Sequence, residues 1–124
     1  MNCLQVQRIP IIKLEDLLLV SIQVALHDNL VIQLQDDISN SIKKFDSKGL
    51  VIDVSGVEIM DSFIARSIND MAKQAKLMGT ETVIVGIRPE IAITLVEMGL
   101  EMDAAQTALN LENAMKIINE LTHK

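Results

Sequence analysis

The side chains able to do chemistry crowd into one stretch, Gly49-Leu50-Val51-Ile52-Asp53-Val54-Ser55-Gly56-Val57-Glu58-Ile59-Met60-Asp61-Ser62-Phe63-Ile64. An apolar run ends on an acid, crosses a small-residue turn and enters a helical pattern that begins at Asp61 and Ser62. A serine at a helix start stands beside backbone N–H groups that have no partner within the helix, at the end whose dipole favours an anion. The chemistry such a position offers is acceptance of a phosphate. Ser62 also reads as an ordinary helix-start residue, since Asp and Ser abound there. Ser55, in the same loop, is the next acceptor candidate, although with Gly56 it reads as turn chemistry.

An enzyme built on Asp53, Asp61 and Ser62 lacks its other parts. No histidine base is near in sequence, no glycine-rich phosphate cradle exists, and no metal-ligand spacing appears. No catalytic residue, metal or cofactor is therefore expected. Asp53 ends a strand as a phosphoacceptor aspartate does in a response-regulator receiver. That chemistry needs an acidic pair after the first strand and a lysine after a late one. Here Glu15-Asp16 falls in a hairpin, and Gly86 is followed by Ile87 and Arg88. Asp53 is instead expected to order its own loop by accepting backbone hydrogen bonds. His27 and His123 are isolated. Ser39, Ser41, Ser47 and Ser67 read as ordinary surface or helix positions, and Asp28, Asp36, Asp37 and Glu15 as a solvated face. Arg66 is expected in solvent, able to neutralise Asp61 or Asp70, and Phe63 at the core edge or against a partner. Arg88-Pro89-Glu90 could contact a neighbouring subunit, but a helix start accounts for it.

The elements that must position these residues follow from periodicity. Ile9 to Leu14 and Leu17 to Gln23 read as strands joined at Glu15-Asp16. From about Asn29 to Phe45, Val31, Leu34, Ile38 and Ile42 mark one helical face. Gly49 to Val54 is a continuous apolar run, the kind buried on both sides of a parallel sheet. After Asp61, Ile64, Ile68, Met71, Ala75 and Met78 recur at helical spacing. Gly79 stands where a left-handed cap would close that helix. Thr82 to Gly86 is another strand, and Pro89 opens a short helix ending at Gly99. A last helix is capped by Asn110 and buries Leu111, Ala114, Met115, Ile118 and Leu121. The fold class is α/β: a mixed, mostly parallel sheet with an N-terminal antiparallel hairpin and about four helices. In such sheets the loops after the strand ends carry function, and residues 53–62 form one of them.

Composition bounds the partners. The 124 residues, 49% apolar, suit one domain spanning 1–124, and with Phe45 and Phe63 the only aromatics the core must be aliphatic. A net charge of −6 argues against nucleic acid and against anionic membrane surfaces. Cys3 is the single cysteine, no run is long enough to span a bilayer, and no secretory signal opens the chain. A cytoplasmic location is expected.

The ordered set Leu18-Leu19-Val20-Ser21-Ile22-Gln23, Val51-Ile52-Asp53, Asp61-Ser62-Phe63-Ile64-Ala65, Lys76-Leu77-Met78-Gly79 and Thr94-Leu95-Val96-Glu97-Met98-Gly99 resembles the STAS domain family. Within it the chain is similar to the RsbS-like antagonists of the bacterial stressosome, from Ile9 to the last helix. The resemblance implies a non-enzymatic scaffold that self-associates, co-assembles with RsbR-like STAS paralogues, and sequesters an RsbT-like serine/threonine switch kinase. By motif position it places the phosphorylated serine on Ser62, with kinase docking around Glu58, Asp61, Phe63 and Arg66. Phosphorylation would release the kinase into a stress response of the alternative sigma factor type, and a phosphatase acting on phosphoserine would reset it. RsbR-like paralogues carry a further phosphorylatable threonine before the first helix. Here that loop reads Ala25-Leu26-His27-Asp28-Asn29, which implies one regulated site. A start at the STAS domain favours the RsbS-like over the sensory partner. The alternative within the family is an anti-anti-sigma factor that binds a soluble anti-sigma kinase without a large assembly.

Overall fold

Glu15 takes a left-handed conformation (φ 55°), so the chain reverses within two residues, as the Glu15-Asp16 turn requires. The flanking segments then pair as antiparallel strands, with Ile11 opposite Val20 and Leu14 opposite Leu17. The structure, a computed structural model, describes residues 8–99 and 104–122; Cys3 and His123 lie outside the described residues. The elements run β1 (Ile11–Leu14), β2 (Leu17–Ser21), α1 (Asp28–Phe45), β3 (Gly49–Asp53), α2 (Ser62–Leu77), β4 (Glu81–Val85), α3 (Pro89–Glu97), β5 (Gln106–Ala108) and α4 (Leu111–Thr122).

The five strands lie in chain order, β1-β2-β3-β4-β5. Every pair after the opening hairpin is parallel, with Leu18 beside Leu50 and Leu50 beside Thr82. Successive side chains of a strand point to opposite faces, and β3 shows the result. Leu50 and Ile52 join the core beneath α1, α2 and α3, with Leu34, Ile38, Ile68, Met71, Ile91 and Leu95. Val51 points the other way and packs with Leu17, Val83, Val85, Ala114 and Ile118 under α4. A strand covered on both faces must be apolar throughout, which explains the unbroken run that the sequence shows there.

The expected α/β class, mixed sheet and four helices are all present. Some details differ. β5 was not expected: its three residues are exposed or half-buried and carry no apolar alternation. Ile9 is buried but precedes the strand. On α2 the buried face is Ala65, Ser67, Ile68, Met71, Ala72 and Ala75, while Ile64 and Met78 are only partly buried. The face keeps Ile68 and Met71 fully buried and is completed by small residues, which leaves Ile64 and Met78 at its edge. On α4 only Ala114 and Ile118 are fully buried, with Leu111 and Met115 at the edge. Ser47 is buried rather than a surface or helix position, because its carbonyl accepts a hydrogen bond from the equally buried Thr80 hydroxyl at 2.9 Å. Asp37, on the acidic face, pairs with Arg8 at 3.6 Å.

Candidate functional site

β3 delivers its last residue into a loop held from both sides. The Ile22 amide donates to the Asp53 carbonyl at 2.9 Å, and the Val54 amide donates to the Val85 carbonyl at 3.0 Å. The Asp53 carboxylate accepts from the Ser55 amide at 2.9 Å, the loop-ordering role expected of it. The Val57 amide closes a turn onto the Val54 carbonyl at 3.0 Å. Gly86, in the neighbouring loop with φ 80°, lies so close that a Cβ there would stand 2.8 Å from the Ser55 Cβ and 3.0 Å from Asp53 Oδ1. A side chain would not fit, so this glycine is required by both its conformation and the close approach.

Val57 and Met60 are buried anchors, and between them Glu58 and Ile59 stand in solvent, Ile59 at 76% exposure. Asp61 then adopts extended backbone and caps α2, its carboxylate accepting from the Ile64 amide at 2.9 Å. Ser62 is the first helical residue and half-buried. With the Ile64 amide taken by the cap, the amides of Ser62 and Phe63 are the remaining first-turn donors. Phe63, expected at the core edge or against a partner, is exposed at 38%. Its carbonyl accepts from the buried Ser67 hydroxyl at 2.7 Å, which fixes the first turn.

Beside this turn runs a groove of about 510 Å³ between the β2–α1 and β3–α2 loops. Ile22, Leu26, Val57 and Ile64 line it, and Glu58 and Asp61 give it negative charge with no lysine or arginine in the lining. The structure thus brings Glu58, Asp61, Ser62 and Phe63 together on one loop and helix start. Arg66, one turn further along α2, is exposed and forms no ion pair among the described residues. His27 is not an idle residue: its Nδ1 accepts from the Leu30 amide at 3.4 Å and caps α1. No group of three or more His, Cys, Asp or Glu side chains suited to a metal occurs among the described residues.

Sequence reasoning missed Arg88. From the start of α3 its guanidinium donates through Nη2 to the Val57 carbonyl at 2.8 Å, and its Nε lies 3.8 Å from Glu90 Oε1. The only signal was a cation placed between the strand-ending Gly86 and the helix-opening Pro89, which fixes where that arm originates.

Residues 8–114 match the STAS domain family. A serine-to-glutamate variant of RsbS from Moorella thermoacetica is 38% identical, with a TM-score of 0.80 over 95% of this chain and all (100%) of that one. A chain from the molecular architecture of the stressosome, a signal integration and transduction hub, is 40% identical with a TM-score of 0.79, covering 93% of this chain and 100% of its own. The RsbT co-antagonist protein RsbRA of Bacillus subtilis is 28% identical over 92 residues, 74% of this chain. The match spans 34% of that curated relative's length. No helix among the described residues is long and apolar enough to cross a membrane.

Proposed function

The chain belongs to the STAS domain family, and on that premise we propose that it is a non-enzymatic antagonist and scaffold of a stressosome-type assembly. It is built in with RsbR-like paralogues and sequesters an RsbT-like serine/threonine switch kinase. The kinase transfers the γ-phosphoryl group of ATP to the Ser62 oxygen, with loss of the hydroxyl proton and release of ADP, and then leaves. The observation that carries this proposal is the placement of Ser62. It is the first residue of α2, behind a carboxylate cap and beside exposed Ile59 and Phe63, at the end of a loop bonded to both neighbouring strands. The likeness to the stressosome chains, close to full length on both sides, supports the same reading.

The physics favours a switch at the interface with an unchanged fold. A phosphate adds roughly −1.5 to −2 charge at neutral pH. The helix start favours that anion by about 0.3 to 1 kcal/mol at an exposed site, which offsets part of the repulsion from Asp61 and Glu58. A docked partner feels more. One like charge about 6 Å from one phosphate charge, at an effective dielectric near 20, costs roughly 3 kcal/mol before screening. Half of that reduces affinity about tenfold.

The deciding experiment mixes the protein with an RsbT-like kinase and ATP and maps the labelled residue by mass spectrometry. Label on Ser62 is the expected result, and label confined to another side chain refutes the assignment. Size-exclusion chromatography with an RsbR-like partner tests the assembly. A large co-complex is expected; a stable small heterodimer with a soluble anti-sigma kinase would instead establish the simpler anti-anti-sigma role.

A further inference from the structure

We infer that Arg88 is a positioning residue, an arm from the β4–α3 loop that sets how the β3–α2 loop is presented to its partner. The inference rests on the reading of Ser62 as a phosphoacceptor, but its physical part concerns the loop alone. From Glu58 to Met60 the loop makes no backbone hydrogen bond among the described residues, so its shape depends on what fixes its two ends. Asp61 fixes one end by capping α2. At the other end Val57 is buried and its amide closes onto the Val54 carbonyl, and Arg88 adds the contact from a second loop by donating to the Val57 carbonyl, the last backbone group before the exposed Glu58-Ile59 tip.

The arm is itself held. Its backbone is extended at the N-cap of α3, Pro89 follows at the first helical position, and Gly86 packs its backbone against Ser55. Glu90 lies beside the guanidinium. Among the described residues Arg88 Nε is buried without a hydrogen-bond partner, and the guanidinium's hydrogen bond is the Nη2 contact to the Val57 carbonyl. Two loops that are distant in sequence are thereby joined at the rim of the acidic groove, and the tip carrying Glu58 is presented in one shape. A partner that binds this shape does not have to order it on docking.

The test compares Arg88→Ala and Arg88→Lys with the wild type. Amide hydrogen exchange of the isolated protein should rise at Val57, whose amide is bonded to the Val54 carbonyl, in Arg88→Ala and stay unchanged in β3, β4 and α2. With an RsbT-like kinase and ATP, the KM for Ser62 phosphorylation should rise about tenfold, equivalent to about 1.4 kcal/mol, with kcat within about twofold, because the loop must then be ordered on binding. Arg88→Lys retains a donor for the Val57 carbonyl and should recover most of the loss. Circular dichroism at the assay temperature establishes that each variant is folded. Wild-type exchange in Arg88→Ala overturns the inference whatever the kinase does. Raised exchange with unaltered KM overturns the role in presentation. If the wild type takes no phosphate on Ser62, the functional proposal fails instead, and exchange alone decides whether Arg88 holds the loop.

Discussion

Two glycines share a left-handed backbone but not a neighbourhood, and the difference measures how tightly the candidate site is packed. Gly79 has φ 85° with nothing within 4 Å of a built Cβ, whereas Gly86 has φ 80° and faces Ser55 and Asp53 at 2.8 and 3.0 Å. Replacing either by alanine incurs the left-handed penalty for an L-residue, about 1–2 kcal/mol, and the same change in unfolded-chain entropy. Gly86→Ala adds a carbon where the separation for carbon pairs should be roughly 3.5–4.0 Å. Overpacking of that kind costs about 1–3 kcal/mol. Gly79→Ala should thus lose about 1–2 kcal/mol and Gly86→Ala about 2–5 kcal/mol. Urea denaturation should separate their midpoints by about 1 M for a difference near 2 kcal/mol. Adding Ser55→Gly to Gly86→Ala removes the nearest atom, and the pair should couple favourably by about 0.5–3 kcal/mol. Equal losses from the two alanines, or no coupling to Ser55, would refute the claim that the β4–α3 loop is packed against the β3–α2 loop.

Other perturbations separate fold from function. Ser62→Asp should keep the circular dichroism spectrum and lose kinase binding in a pull-down, while Ser62→Ala keeps the kinase and takes no label; tight kinase binding by both phosphorylated protein and Ser62→Asp would remove the charge mechanism. Asp61→Ala removes the cap on the Ile64 amide and should lower stability by about 0.5–2 kcal/mol in chemical denaturation. Ile118→Ala, at a position 1% exposed between α4 and the sheet, should cost about 2–5 kcal/mol. Its Ser62 labelling should stay unchanged below its melting temperature, because α4 lies on the face opposite α1 and α2.

What was legible in the sequence was whatever burial writes as a period. β3 is apolar at every position because both faces are covered, and α1 repeats its buried residues as Leu30, Val31, Leu34, Ile38 and Ile42. The cap at Asn110, the helix start at Asp61 and Ser62 and the turn at Glu15 could be read because their chemistry is local. β5 could not, since Gln106-Thr107-Ala108 is an edge segment specified by its backbone bonds to β4 rather than by its side chains. Nor could the reach of Arg88 to Val57, which joins residues 31 apart in sequence. The burial of Ser47 was hidden as well, its carbonyl being met by the Thr80 hydroxyl from 33 residues away, just beyond α2.

A phosphate at Ser62 could act by melting its loop or by repelling what docks there, and the hydrogen bonds choose between them. Melting must break the Ile22–Asp53, Val54–Val85 and Ser55–Asp53 contacts and the Arg88 contact to Val57, at about 0.5–1.5 kcal/mol for each of the two neutral bonds and more for the two that involve the Asp53 carboxylate and the Arg88 guanidinium. Against them stands repulsion from Asp61 and Glu58, exposed groups in a water-like dielectric where a charge pair at about 4 Å is worth about 1 kcal/mol. The helix start returns part even of that. In a docked complex water is excluded, and the same charge meets its neighbour at a lower effective dielectric. A modification shifts an equilibrium only by its differential interaction with the two states, and here the bound and free states differ far more than the ordered and melted ones. Hydrogen exchange of residues 53–62 should therefore be the same before and after phosphorylation while kinase affinity falls at least tenfold. Faster exchange confined to that loop in the phosphorylated protein would mean that the loop melts and that the hydrogen bonds named above do not hold it.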